Sequence, residues 1–198
     1  MALKKKLKHL WWIIGIVIVI VAAFMVFGSS GPDIDYSQYS YTDSERENPD
    51  AAHVITEYSD FQCPFCAGVV PTLHAVETDF DVRLEFKHFP LPSIHSYSEL
   101  AAEAAECARD QGRFWAYHDM LYEHQDYLAK PFLLDHAKGL GLDISSFKTC
   151  LDNREKQAVV TQDELEGESQ GVTGTPTIFL DGQRMQQRSY EAFAALLG

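Results

Sequence analysis

Hydrophobic residues fall along this chain in three rhythms, and each predicts a different kind of element. From Leu10 to Phe27 they run without a charge for 18 residues, behind Lys4, Lys5, Lys6 and Lys8. At about 1.5 Å of rise per residue, a helix of that length spans a hydrocarbon core. Lysines on one flank only place residues 1–9 in the cytoplasm and everything after residue 27 outside it. A cleaved signal peptide is the alternative, but its apolar core is shorter and ends in a small-x-small site. Phe24-Met25-Val26-Phe27 stands where those small residues would be, so an uncleaved transmembrane anchor over residues 10–27 is expected.

The second rhythm has period two. His53 to Tyr58 is β-branched and aromatic, and Val82 to Phe89 alternates apolar with polar, so both predict strands. Thr177 to Leu180 predicts a third, followed by an Asp181-Gly182 hairpin turn and a short partner near Gln183 to Met185. The third rhythm is helical. Pro64, suited to the first position of a helix, opens a pattern in Val69, Val70, Leu73, Val76 and Phe80, with Pro71 expected to kink or break it. Strand, helix, strand in this order is a βαβ unit with parallel strands and a right-handed crossover. Glu99 to Tyr127, Pro131 to Gly139, Ile144 to Asp152 and Arg154 to Ser169 then read as helices, an all-helical block over about residues 96–170. Ser189 caps a final helix, Tyr190 to Leu197. Residues 28–50 are rich in Ser, Gly, Pro, Asp and Tyr without periodicity and read as a flexible tether, which leaves the folded domain at 51–198.

Composition then narrows the partners. The 198 residues carry a net charge of −13, and because the anchor's flank holds only lysines the remainder carries −17. Such a surface repels polyanions and argues against nucleic acid or anionic lipid as a target. All four cysteines follow the anchor, on the side where disulfides persist. Cys107 and Cys150 read as a structural pair, closing a loop worth about 4 kcal/mol in the chain-entropy model. Two buried free thiols are the alternative for them.

Candidate chemistry centres on Cys63-Pro64-Phe65-Cys66, which follows a strand directly and opens a helix. The helix N-terminus favours a thiolate on the first sulfur, and a lower thiol pKa stabilises the dithiol and makes the disulfide a stronger oxidant. Glu57 lies on the strand six residues before Cys63, either as an acid near the pair or as an exposed residue on the strand's wet face. Gly174-Thr175-Pro176 immediately precedes the strand at Thr177, where a proline is ordinary. Ala67 stands where a c-type haem site needs His, and Cys107 and Cys150 are too isolated to complete a zinc site. His88, His95, His118, His124 and His136 lack H-x-x-x-H spacing and read as surface or helix-packing residues, and Phe114, Trp115 and Tyr117 as core of the helical block. No metal or cofactor is expected.

Together with Lys87-His88-Phe89-Pro90-Leu91, Gln111-Gly112-Arg113-Phe114-Trp115 and Gly171 to Thr177, these motifs resemble the DsbA-like, membrane-anchored thiol:disulfide oxidoreductases of the thioredoxin superfamily, over nearly all of residues 53–198. The resemblance implies an α/β, thioredoxin-like fold with an inserted helical domain, behind one N-terminal transmembrane helix. It implies Cys63 as nucleophile, Cys66 as the resolving thiol and Glu57 as a proton shuttle. Pro176 would be a cis-proline exposing the backbone of Thr175 to substrate, with Pro64 and Phe65 beside it. The implied activity is a dithiol oxidase for thiols of exported proteins, reoxidised by a membrane redox partner. Thr175 in place of Val, and Pro-Phe in place of Pro-His between the thiols, depart from the strongest oxidant's pattern. A reductase or isomerase of the same fold is therefore the alternative. From another class, the alternative is a membrane-tethered binding domain with a structural C-x-x-C disulfide.

Overall fold

The period-two segments pair into a single sheet. The computed structural model describes residues 34–198, so the expected anchor at 10–27 lies outside the described residues. Among the described residues, no helix is long and apolar enough to cross a membrane. Strands β1 (His53–Ser59), β2 (Val82–His88), β3 (Thr177–Leu180) and β4 (Gln183–Arg184) lie in the order β2-β1-β3-β4. β1 runs parallel to β2, from His53 opposite Val82 to Ser59 opposite His88, and antiparallel to β3, with Glu57 opposite Ile178. The β3–β4 hairpin turns through Asp181 and Gly182 at φ 49° and 76°, the left-handed pair that a two-residue turn requires.

A short helix, α1 (Asp43–Arg46), precedes the sheet, and α2 (Pro64–Asp79) makes the parallel crossover. α2 buries Cys66, Val69, Val70, Leu73 and Val76. Of the kink or break expected at Pro71, the break does not occur, and the helix continues through it to Asp79. Pro71 faces solvent, and the bond lost for want of its N–H is outweighed by the buried stripe on the other side of the helix. That stripe meets the sheet and the last helix, α8 (Tyr190–Leu197), in a core of Ile55, Val69, Leu73, Val76, Val82, Ile178, Leu180 and Phe193.

Between β2 and β3 lie α3 (Ser98–Arg109), α4 (Phe114–Glu123), α5 (Lys130–Gly139), α6 (Ile144–Asp152) and α7 (Gln157–Ser169), matching the expected helical block. α7 starts later than Arg154 because that residue stands at φ 53°, a conformation an α-helix of L-residues excludes. Its guanidinium instead reaches Glu103 on α3 at 3.0 Å. Cys107 on α3 and Cys150 on α6 are disulfide-bonded, their Cα atoms 6.0 Å apart. α7 covers the sheet face opposite α2, over a smaller cluster of Tyr58, Phe89, Val172 and Phe179. Gly167 permits this approach, since a Cβ there would sit 2.9 Å from the rings of both Tyr58 and Phe89.

The expected tether requires correction: from Tyr36 onward it is packed, and the compact unit runs from Tyr36 to Gly198. Tyr39 is 2 % exposed, and its hydroxyl donates to Glu123 at 2.5 Å. The Asp43 carboxylate accepts from the backbone N–H groups of Phe114 and Trp115, each at 2.9 Å, and so caps α4 from a distance. Arg46 pairs with Glu77 and Asp119, both at 2.9 Å, and lies 4.3 Å over the Trp115 ring. Each of these partners is remote in sequence, which is why no local periodicity announced the segment.

Candidate active site

Strand alternation puts Ile55, Glu57 and Ser59 on one face of β1, and all three are buried. Glu57 is 4 % exposed, so the inward phase holds and the wet-face reading of this acid does not. Past Ser59 the chain turns around Asp60. Its buried carboxylate accepts from the backbone N–H groups of Gln62 at 2.8 Å and Leu91 at 2.9 Å, with His95 Nδ1 at 2.8 Å. Its carbonyl accepts from the N–H of Cys63 at 3.0 Å. Just beyond α4, Gln125 donates to the carbonyls of Phe61 at 2.7 Å and Cys63 at 3.0 Å. Thus the helical block holds the thiol turn from one side and β1 delivers it from the other.

Cys63 is the N-cap of α2, with Pro64 in its first turn. Both thiols are free; Cys63 is 4 % exposed and Cys66, one turn inside, is fully buried. Phe65 between them projects outward, 76 % exposed. Cys63 Sγ lies 3.6 Å from the carbonyl oxygen of Thr175, to which it donates. The Thr175–Pro176 peptide bond is cis. The fold therefore brings Glu57, Cys63, Pro64, Phe65, Cys66, Thr175 and Pro176 to one end of the sheet, while Cys107 and Cys150 sit within the helical block.

The two sulfurs differ electrostatically. The Cys63 thiol is lowered to about 5, chiefly because Cys66 donates a hydrogen bond to its thiolate, with Thr175 and the N–H groups of Cys66 and Phe65 adding to this against burial. Burial pushes the Cys66 thiol far up, reinforced by Cys63 and by the charge of Glu57. Burial also raises Glu57 to about 7, opposed by the Ser59 hydroxyl and by Arg46 and His74. Such an arrangement can hold one thiolate at a helix end, one protonated thiol behind it, and an acid that exchanges its proton near neutral pH.

Ser59, Asp60, Tyr122 and Gln125 belong to the site without having been singled out in the sequence. Ser59 Oγ donates to Glu57 Oε1 at 2.7 Å and lies 2.7 Å from the Tyr122 hydroxyl. Its position two residues after Glu57 on one strand was the signal available. Nothing local marks Tyr122 or Gln125. The buried histidines His88, His118 and His136 serve in packing; His118, which burial lowers to about 4, has the Phe86 and Tyr122 rings each 4.9 Å away.

The chain matches the family described as Thioredoxin over residues 43–198. It is 39 % identical over 143 residues to Na(+)/H(+) antiporter NhaA 3 of Salinispora tropica, a match covering 72 % of this chain and 22 % of the antiporter. The chain thus spans less than a quarter of the length of the curated relatives it matches. Among solved structures it is similar to BdbD from Bacillus subtilis, with a TM-score of 0.69 and 23 % identity over 76 % of this chain and 88 % of that one. It is also similar to MdbA, a thiol-disulfide oxidoreductase from Corynebacterium diphtheriae, with a TM-score of 0.61 and 20 % identity over 75 % and 84 %. At these identities the likeness is one of fold.

Proposed function

The chain belongs to the thioredoxin family, and on that premise we propose that it is a DsbA-like thiol:disulfide oxidoreductase acting mainly as a dithiol oxidase on exported proteins. The observation that carries the reading is the asymmetry of the pair: Cys63 caps the N-terminus of α2 beside the cis Thr175–Pro176 step, while Cys66 lies fully buried one turn inside, an arrangement that lowers the first thiol and raises the second. A stabilised thiolate favours the dithiol, so the disulfide is poised to be given away. A substrate thiolate attacks Cys63 Sγ of the oxidised pair, forming a mixed disulfide and releasing Cys66. A second substrate thiolate then attacks the substrate sulfur of that bond, and Cys63 leaves as its thiolate. The substrate loses two electrons and the pair gains them. Glu57 supplies and takes up the proton that Cys66 needs, and the edge at Thr175 and Pro176, with Pro64 and Phe65, receives the substrate backbone. The similarity in fold to a thiol-disulfide oxidoreductase supports the same reading.

The lysine-flanked run at residues 10–27 supports placing the domain outside the cytoplasm on a single membrane anchor, with a membrane redox partner to reoxidise it. The test is the reduction potential of Cys63/Cys66 in a glutathione buffer, with Cys63→Ser as the blank. A potential well above glutathione's is expected. One far below it would replace the oxidase with a reductase.

A further inference from the structure

When a substrate thiolate breaks the Cys63–Cys66 bond, the electron pair of that bond is left on Cys66 Sγ. The sulfur is fully buried at the inner face of α2, where burial and the charge of Glu57 oppose a thiolate. A proton must therefore arrive from a group already inside. Glu57 is the buried acid of the site, and the hydroxyl of Ser59 bonds to it at 2.7 Å. The same hydroxyl is held from a third side by the Tyr122 phenol at 2.7 Å, and all three residues are buried. The same hydroxyl favours the thiolate form of Cys66.

We propose that the Ser59 hydroxyl is the proton bridge between Glu57 and Cys66, with Tyr122 as the positioning residue that holds it in line. As Cys66 leaves, Glu57 gives its proton to Ser59 Oγ and Ser59 gives its own to Cys66 Sγ. The incoming thiolate's pair forms the new S–S bond, the old bond's pair stays on Cys66, and one proton crosses to it. Glu57 ends as a carboxylate accepting from Ser59 across the 2.7 Å contact that joins the two while both thiols are free. Reoxidation runs the relay backwards. A hydroxyl suits this task because it donates and accepts at once, and its proton turns freely between partners. The inference rests on the oxidoreductase reading.

The experiment follows reduction of the oxidised full-length chain by dithiothreitol from about pH 5 to about pH 9, for the native chain, Ser59→Ala, Glu57→Gln and the double variant. Positioned proton transfer contributes about 100-fold or more, and removing only the bridge should cost at least ~10-fold below neutral pH. The loss should shrink as pH rises, and it should vanish in the Glu57→Gln background, since a bridge without its acid carries nothing. Alkylation of reduced Cys63 by iodoacetamide should stay unchanged, a readout of local integrity. An unchanged rate and pH profile in Ser59→Ala overturns the bridge, and so does an equal loss with and without Glu57. If Ser59→Ala does not fold, Tyr122→Phe takes its place: a slower, pH-shifted reduction supports the bridge and a native profile overturns it. If the Cys63–Cys66 bond of the native chain is reduced no faster than the Cys107–Cys150 disulfide, the oxidoreductase reading fails instead.

Discussion

Burial of Glu57 makes a prediction about stability that can be worked through. The carboxyl rises from an ordinary 4.5 to about 7, mainly because burial penalises its charged form. At about 1.4 kcal/mol per tenfold change in proton affinity, ionising Glu57 costs the folded state about 3 kcal/mol. Domains of this kind are stable by only about 5–15 kcal/mol, so the cost is large enough to measure. The sign follows from proton uptake. Between pH 4.5 and about 7 the folded protein holds a proton on Glu57 that the unfolded chain has lost. Stability from this group is therefore complete below pH 4.5, falls as pH rises, and is gone above about 7. Glu57→Gln keeps an oxygen to accept from Ser59 and removes the charge. Urea unfolding of the two proteins, both carrying Cys63→Ser so that no thiolate titrates beside them, isolates the difference. The Gln variant should match its parent near pH 4 and exceed it by about 2–3 kcal/mol near pH 8. A difference that stays flat across that range refutes the argument.

Cys66→Ala removes the leading donor to the Cys63 thiolate, so the Cys63 titration followed by thiolate ultraviolet absorbance should move upward from about 5; an unmoved midpoint would contradict the stated cause. Replacing Cys107 and Cys150 together by Ala should lower unfolding stability by about 4 kcal/mol in urea and leave the Cys63/Cys66 potential where it was. Asp43→Ala should cost about 1–2 kcal/mol, because two backbone N–H groups at the start of α4 lose their acceptor. Equal stability of that variant would show that residues 36–46 contribute little to the fold.

The thiol pair, the three main strands, the crossover helix and the helical block were legible because each depends on local signals: residue type, period and turn chemistry. Even the phase of β1 was half-visible, since Ile55, Glu57 and Ser59 share one face. The exceptions have definite causes. Pro71 did not break α2 because its neighbours bury on the opposite side. Arg154 did not join α7 because its backbone is left-handed there. Residues 36–46 passed for a tether because their capping and ion-pair partners, Phe114, Trp115, Glu77, Asp119 and Glu123, lie 31 or more positions away.

By itself the sequence marked the candidate reacting pair and the kind of scaffold that carries it, since a C-x-x-C at a helix start after a strand, with an acid six residues before it, is a local arrangement. Only the tertiary structure decided how unlike the two sulfurs are. Cys63 meets Thr175 at 3.6 Å, and Ser59 joins Glu57 to Tyr122 within 2.7 Å on each side. Burial, the quantity that separates the thiols and raises the acid, is a property of the packed whole, because it depends on how many distant residues exclude water from one point.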